Sequence, residues 1–431
     1  MPEFLLAARN VFLRRRRYAL LSLAIILGFA LVTFIQAATN GALQSIKDKA
    51  ARYFSGHISI TGYDKGEQSL EAPEQLAQAI LDSGLPVRSV AKRSIYYDSN
   101  ASLFFGGNSV RQRRLVGIDF AAEREQMQTL DFSEGSLEVL LADESNGILI
   151  SEAAARILGA RVGDDLMLFL TTPRGQYNTA TLYVRGIFRE TSLFGYVAYM
   201  NLKDMNRVLN RPEESATDLA IYAEPGVNHQ RLLDDLRGQL GTAYRLLPPM
   251  ANKQQLSAEL SKVDWKQGPV LAPLTLDAHL EQITTILDAI LAVTWFVLTV
   301  FISIVMVGVL NTYRVLVYER TREIGTIRAI GMGRNAVRLM FLWEAVLLGL
   351  AATLIGLVVG RVLLLALRLV DLSAITGAGM FTVRGHLVPQ LNTPTTLLTF
   401  ALMLLALVLA VWGPAAKAAR VAPAEALRTE D

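Results

Sequence analysis

The chain reads as an α-helical membrane protein with four transmembrane helices and a large extracytoplasmic α+β domain inserted between the first and second. Three observations carry that reading. Four windows, at about 18–38, 289–310, 339–360 and 397–412, are apolar enough to cross a bilayer, which takes ~20 mostly apolar residues. Some 240 residues between the first two windows switch between alternating strand patterns and short helical ones. Arginines collect at Arg14–Arg17, in the stretch from Arg314 to Arg338, and with Lys417 after the last window. Hydrophobic residues make up 52% of the 431, above the ~45–50% of soluble domains, and the excess sits in these blocks.

The first span follows Arg14, Arg15, Arg16 and Arg17 directly, so these are topology residues. The run is too close to an apolar segment to read as a nucleic-acid patch, and the segment is longer than the ~7–15 apolar residues of a cleavable signal peptide. The positive-inside rule puts both termini and the middle loop in the cytoplasm, and an even number of spans makes those placements consistent. The location expected is the bacterial cytoplasmic (inner) membrane. The divisions that follow are 1–17 basic terminus, 18–40 first span, 41–281 extracytoplasmic domain with stalk ends, 282–312 second span, and 313–336 cytoplasmic loop. After these come 337–362 third span, 363–394 short external loop, 395–414 fourth span, and 415–431 C-terminus.

In the inserted region, segments 57–61, 147–150, 166–171 and 179–188 read as strands, and 72–81, 152–158 and 230–240 as helices. No proline interrupts the chain after span one, where Gly41 is the only weak point, or between Leu276 and Asp288 before span two. Both joints read as helices continuing past the bilayer as stalks, with ordinary helix overhang as the alternative. The loop from Arg361 to Asn392 is punctuated by Gly377, Gly379, Gly385 and Pro389.

Enzyme chemistry is not legible. There is no cysteine, no phosphate-binding Gly-x-x-x-x-Gly-Lys-Ser/Thr, and no His-Glu-x-x-His. His57, His229, His279 and His386 lie far apart in sequence, and Asp143, Glu144, Asp164 and Asp165 read as solvated loop acids. No catalytic or metal residue is assigned. Gly331-Met-Gly333 reads as a helix stop rather than a dinucleotide fingerprint.

The segment between spans two and three is the most specific. Ile324, Ile327 and Ile330 recur every third residue as one apolar stripe, and Arg320 with Glu323 and Glu319 with Arg322 are spaced to brace a helix surface by about 0.2–0.5 kcal/mol per pair. Such a helix either lies among lipid headgroups or docks into a partner protein. Glu344 is costly in lipid unless paired, and a loop arginine is the partner expected. Gly356 and Gly360, with Gly349 before them, are helix-packing residues serving either intramolecular contact or a dimer seam.

The chain resembles the FtsX/MacB/LolC family of ABC-transporter permeases. The resemblance is carried by Ala7-Ala-Arg-Asn10, by Glu319-Arg-x-Arg-Glu-Ile-Gly-x-x-Arg-Ala-x-Gly331, by Glu344, Gly349, Gly356 and Gly360, and by Pro414, Arg420, Pro423, Glu425 and Arg428. Gly147-Ile-Leu-Ile-Ser-Glu-x-Ala-Ala-x-x-Leu-Gly159-x-x-x-Gly163 is similar to a segment of the periplasmic domain. A fused ATPase domain is not expected, since these residues hold no phosphate-binding loop, and the Asn-Gly-Phe-Glu motif of LolC and LolE is lacking after span one.

The resemblance implies a mechanotransmitting (type VII) permease without enzyme activity of its own. ATP and Mg would sit on a separate ABC ATPase dimer gripping Glu319, Arg320, Arg322, Glu323, Gly325, Arg328 and Gly331. Other expected partners are a second permease copy or paralogue, membrane lipid, and a periplasmic adaptor or lipoprotein; nucleic acid is not one. The tasks implied are lipoprotein release or efflux of peptides or hydrophobic compounds. A regulatory scaffold activating a cell-wall hydrolase and an antimicrobial-peptide resistance permease are the alternatives.

Overall fold

The computed structural model describes residues 2–13, 15–97, 101–112, 114–143, 145–189, 197–372, 375, 378–383 and 385–422. Arg14, Glu144, Gly377, Pro423, Glu425 and Arg428 lie outside the described residues, and Arg15, Arg16 and Arg17 are described in backbone only. The chain divides into two compact units.

The first unit comprises Met1–Leu43, Leu287–Asp371 and His386–Asp431. Among the described residues, four helices are long and apolar enough to span a membrane: Tyr18–Ser55, Asp288–Glu319, Arg334–Arg368 and Thr393–Ala418. Each fills its helical stretch with residues that present no backbone donor or acceptor to lipid, which is why only helices serve here. An additional amphipathic helix, Pro2–Leu13, precedes them and buries Ala7 in the same core as Tyr18, Val309, Phe341 and Leu407.

Three glycines of span three set how closely it approaches spans one and four. A Cβ on Gly356 would stand 2.8 Å from the Ile26 carbonyl oxygen, and one on Gly360 would stand 3.1 Å from that of Ala30, both on span one. Gly349 meets the Leu407 side chain of span four. Gly356 and Gly360 both make close packing contacts within the chain, against span one. Gly41 does not weaken its helix. The backbone of Val388 comes so near that a Cβ would lie 2.2 Å from its carbonyl oxygen, so only glycine fits there. A polar tie, Gln36 Nε2 donating to Thr399 Oγ1 at 3.2 Å, adds to the contact between spans one and four.

The second unit, Gln44–Ile286 with Leu372–Gly385, is an α/β domain. Its main sheet path runs Val270–Thr275, Ile58–Asp64, Asp218–Ala223, Val87–Tyr96, Arg114–Ile118, Val197–Asn201, Gly147–Ser151, Tyr177–Phe188, Asp165–Thr171, Ser102–Phe105, Asn108–Arg111. Two pairs on this path are parallel, Val197–Asn201 with Arg114–Ile118 and Gly147–Ser151 with Tyr177–Phe188; the others are antiparallel. Pro273 sits on the edge strand, where its missing N–H costs no ladder bond.

Helices cover the sheet by burying one stripe each. Pro73–Leu81 and His229–Leu240 put Leu76, Ile80, Leu232 and Leu236 against Ile58, Ile60, Leu219 and Ile221. Glu152–Leu158 and Leu202–Val208 put Ala154, Leu158 and Met205 against Leu166, Leu168, Leu182 and Val184. Ser151 caps the first of these by accepting from the Ala154 N–H, and Gly159 at φ 75° ends it.

Two expectations fail in detail. The stalk before span two is not one helix: Leu276–His279 is a separate turn ending at Leu280, and the long helix starts at Glu281. Leu280 is buried with Ala50, Ala51 and Leu276, and seating it there breaks the helical line. The triplet Ile324, Ile327 and Ile330 is not one buried stripe. Ile324 is 1% exposed but Ile330 is 84% exposed, because the helix Thr321–Ala329 ends just before it.

Candidate functional site

The helix of span two continues to Glu319 and breaks at Arg320, whose φ of −99° and ψ of 8° start the short helix Thr321–Ala329. That helix closes with Gly331 at φ 109°. The Gly331 N–H donates to Arg328 O and the Met332 N–H reaches back to Ile327 O at 3.2 Å, the six-to-one bond of a left-handed glycine stop.

What seats this helix is one carboxylate. Glu344, fully buried on span three, accepts from Arg320 Nη1 on both oxygens at 3.0 and 3.1 Å. It also accepts from Asn10 Nδ2 at 2.7 Å and from the Tyr18 hydroxyl at 3.1 Å. Arg320 is 2% exposed, stands over the Phe341 ring at 5.1 Å, and turns its Nε to Glu323 at 3.3 Å. A buried ion pair is tolerable only when further hydrogen bonds fill its lone pairs, and the bonds from Asn10 and Tyr18 do that. The partner expected for Glu344 is thus found, and the bracing pair Arg320–Glu323 is formed.

The same geometry changes the surface set. Arg320 faces inward and is not available to a docking partner, a correction forced by its pairing with Glu344. Gly325 is buried. Arg328 is half-buried and donates through Nη1 to Val421 O. Glu319, Arg322, Glu323 and Gly331 are exposed. Sequence reasoning named Asn10 only as part of a motif and did not pair it or Tyr18 with Glu344, from which both are more than 300 positions away.

In the inserted domain, a second group of titratable residues surrounds the two chain segments that enter and leave it. His57 stacks on His229 with ring centroids 4.6 Å apart, although 172 positions separate them in sequence. Burial, and then the neighbouring ring, hold the His57 pKa below its ordinary value, and burial does the same to His229. His57 Nδ1 accepts from the Ala223 N–H at 2.9 Å, which requires the neutral ring at that nitrogen. Burial also pushes the Tyr63 hydroxyl up to about 12. Among the described residues, no group of three or more His, Cys, Asp or Glu could hold a metal ion.

A four-span helical unit carrying a charged helix between spans two and three, with an α/β domain inserted after span one, defines a class of membrane permease. The MacB-like periplasmic core domain family matches residues 18–239, and the FtsX-like permease C-terminal family matches residues 295–423. The chain belongs to the permeases that join these two parts, an ABC-transporter permease family.

It is similar to the lipoprotein-releasing system transmembrane protein LolC of Haemophilus influenzae, 21% identical over 396 residues, covering 86% of this chain and 89% of LolC. The pyoverdine export ATP-binding/permease protein PvdT of Pseudomonas fluorescens Pf-5 is 26% identical over 445 residues, 98% of this chain. The chain spans only 59% of the length of that protein. The macrolide export ATP-binding/permease protein MacB of Chlorobaculum tepidum is 37% identical over 123 residues, 28% of this chain. Among solved structures, the periplasmic region of MacB from Actinobacillus actinomycetemcomitans aligns with a TM-score of 0.33 and 14% identity, over 53% of this chain and 92% of that one.

Proposed function

We propose that this chain is the membrane subunit of an ABC transporter whose ATPase is a separate cytoplasmic dimer. The helix Thr321–Ala329 docks on that ATPase, both chain termini lie on the same side, and ATP-driven movement reaches the inserted domain on the other side. The work done there is release of a lipoprotein or expulsion of a peptide or hydrophobic compound, as the names of LolC, PvdT and MacB suggest for those proteins. A second copy or a paralogue completes the membrane assembly, and ATP and Mg bind to the partner alone.

The observation that carries this reading is the Arg320–Glu344 pair. It fastens the start of a short charged helix to span three and leaves Arg322 and Glu323 turned outward. A helix that only lay among headgroups needs no such fastening, whereas one that receives force does.

Glu323→Lys tests it. The change removes the brace to Arg320 and sets a like charge beside Arg320 and Arg322. If Glu323 meets a charged group in an ATPase cleft, docking weakens by ~2 kcal/mol or more, over tenfold in affinity. In reconstituted membranes the variant should insert normally and lose stimulation of the partner's ATP hydrolysis. Full stimulation in the Glu323→Lys protein would refute the docking role.

A further inference from the structure

The helix that begins at Arg15 runs unbroken to Ala50 and passes into one π-turn, Ala51–Ser55, within the α/β unit. Isolated π-turns are uncommon and are found mostly at functional sites. Gly56, at φ 75°, already stops the helix and donates its N–H to Ala51 O at 2.9 Å. The end is therefore capped without help from any side chain. Even so, four side chains converge on its next three carbonyls.

Arg93 Nη2 and the Tyr222 hydroxyl both donate to Arg52 O, at 2.9 and 3.1 Å. The Tyr199 hydroxyl donates to Tyr53 O at 3.2 Å, and Arg114 Nη2 donates to Phe54 O at 2.5 Å. The donors come one each from Asp218–Ala223, Val87–Tyr96, Arg114–Ile118 and Val197–Asn201, which are four consecutive strands of the sheet. Two of them are cations set against the negative end of a helix dipole.

The donors are themselves held. Arg93 is fully buried, donates from Nε to Glu123 at 2.9 Å and pairs through Nη2 with the other carboxylate oxygen. Burial alone would lower its pKa, and the Glu123 carboxylate more than offsets that, so the charge stays on. Arg114 lies over the Phe54 ring at 3.9 Å. Tyr53 adds its ring to the core with Val116, Leu149 and Tyr199 and its hydroxyl to Thr129 at 2.7 Å.

The segment leaving the domain is tied to the same place. The Leu276 N–H donates to His57 O at 2.9 Å, His279 Nε2 meets Ser59 Oγ at 2.6 Å, and the Lys47 ammonium reaches Asp277 at 2.8 Å.

We propose that Arg93, Arg114, Tyr199 and Tyr222 are positioning residues that form the joint through which displacement of the span-one helix passes into the sheet. This rests on the permease reading above. Donors from four strands resist a pull on the helix end in any direction, where the glycine stop alone would let it swivel.

The test uses the full chain in nanodiscs with its partner ATPase. It carries a nitroxide on Ser109→Cys, an exposed position in a chain with no other cysteine. Two variants are compared: Arg114→Met, and Tyr199→Phe with Tyr222→Phe. The tyrosine pair decides the matter if an arginine variant fails to fold. Amide exchange over 50–58 should rise at least tenfold while the rest of the domain is unchanged. The nucleotide-driven change in the nitroxide spectrum should shrink at least fivefold while ATP hydrolysis stays within twofold of wild type. A purely structural role would move hydrolysis and domain-wide exchange together, and that outcome overturns the proposal, as does an unchanged nitroxide response in the folded tyrosine variant. Absence of any nucleotide response in the wild-type chain would instead defeat the permease reading, and the joint's transmitting role with it.

Discussion

Arg320 in the membrane unit and Arg93 in the inserted domain are both buried, at 2% and 0% exposure, and each is paired with a buried glutamate that also accepts from a tyrosine hydroxyl. Each also stands where a long helix ends. They differ in what the pair serves. Around Glu344 the donors are all side chains, from Asn10, Tyr18 and Arg320, and the carboxylate is the centre. Around Arg93 the centre is the cation, which divides its donors among Glu123, the Tyr222 hydroxyl and a backbone carbonyl of Arg52. In a helical unit every carbonyl along a span is already bonded within its own helix, so a charge there can only tie side chains together. At a helix end that enters a sheet, free carbonyls are present and a guanidinium can grip the chain itself.

The largest expected effect falls on the centre with no substitute. Glu344→Ala leaves Arg320 buried with only Glu323 beside it, and losing one partner of a buried pair costs about 3–5 kcal/mol. The protein should accumulate poorly and melt early in detergent, and Glu344→Leu combined with Arg320→Met should recover most of the loss. Glu123→Ala should sit at the low end of the same range, since Arg93 keeps the Tyr222 hydroxyl and Arg52 O. Equal losses in thermal melts of the two single variants would erase the contrast drawn between the sites.

A smaller effect separates packing from charge in the membrane unit. Gly356→Leu forces a side chain into the backbone of Ile26, and overpacking of this kind costs about 1–3 kcal/mol. Gly308→Ala, with nothing within 4 Å of the new methyl, should melt like the wild type. If both behave alike, span one does not pack on span three as closely as described.

The smallest expected effect belongs to the inserted domain and is read by pH. His57 and His229 have pKa values lowered by folding, so on acidification the unfolded chain takes up their protons first. Their contribution is complete above the ordinary histidine value near 6.5 and is lost as pH falls from there through the depressed folded values. Asp277 near His229 and Asp48 near His57 oppose the shift, and Lys47 and Arg52 add to it. Thermal melts of the full chain between pH 7.5 and 5 should show the loss, and His229→Gln should flatten it. An unchanged slope in that variant would remove the histidine stack from the account.

Much of this molecule follows from local sequence. The spans need only a run of apolar residues, and the helix stop at Gly331 needs only a glycine after a periodic segment. The strands Asp165–Thr171 and Tyr177–Phe188 show themselves because buried and exposed residues alternate along them. Arg114–Ile118, Asp218–Ala223 and Val270–Thr275 do not, because each is buried on both faces and carries no alternation to read. The pairing of Glu344 with a loop arginine was legible too, since a lone carboxylate in a span demands a partner and the loop supplies arginines.

Which arginine it would be, and everything at the second centre, belongs to the tertiary structure. Arg320 is chosen because the chain breaks there and turns its side chain inward. Arg93, Arg114, Tyr199 and Tyr222 meet at one helix end because the sheet brings four strands side by side, and no period in the sequence records which residues of separate strands will face the same carbonyls. Hydrophobic runs and turn residues act over neighbouring positions and so can be read along the chain. A hydrogen bond between residues 41 or 170 positions apart depends on how the intervening chain packs, and only the folded molecule holds that information.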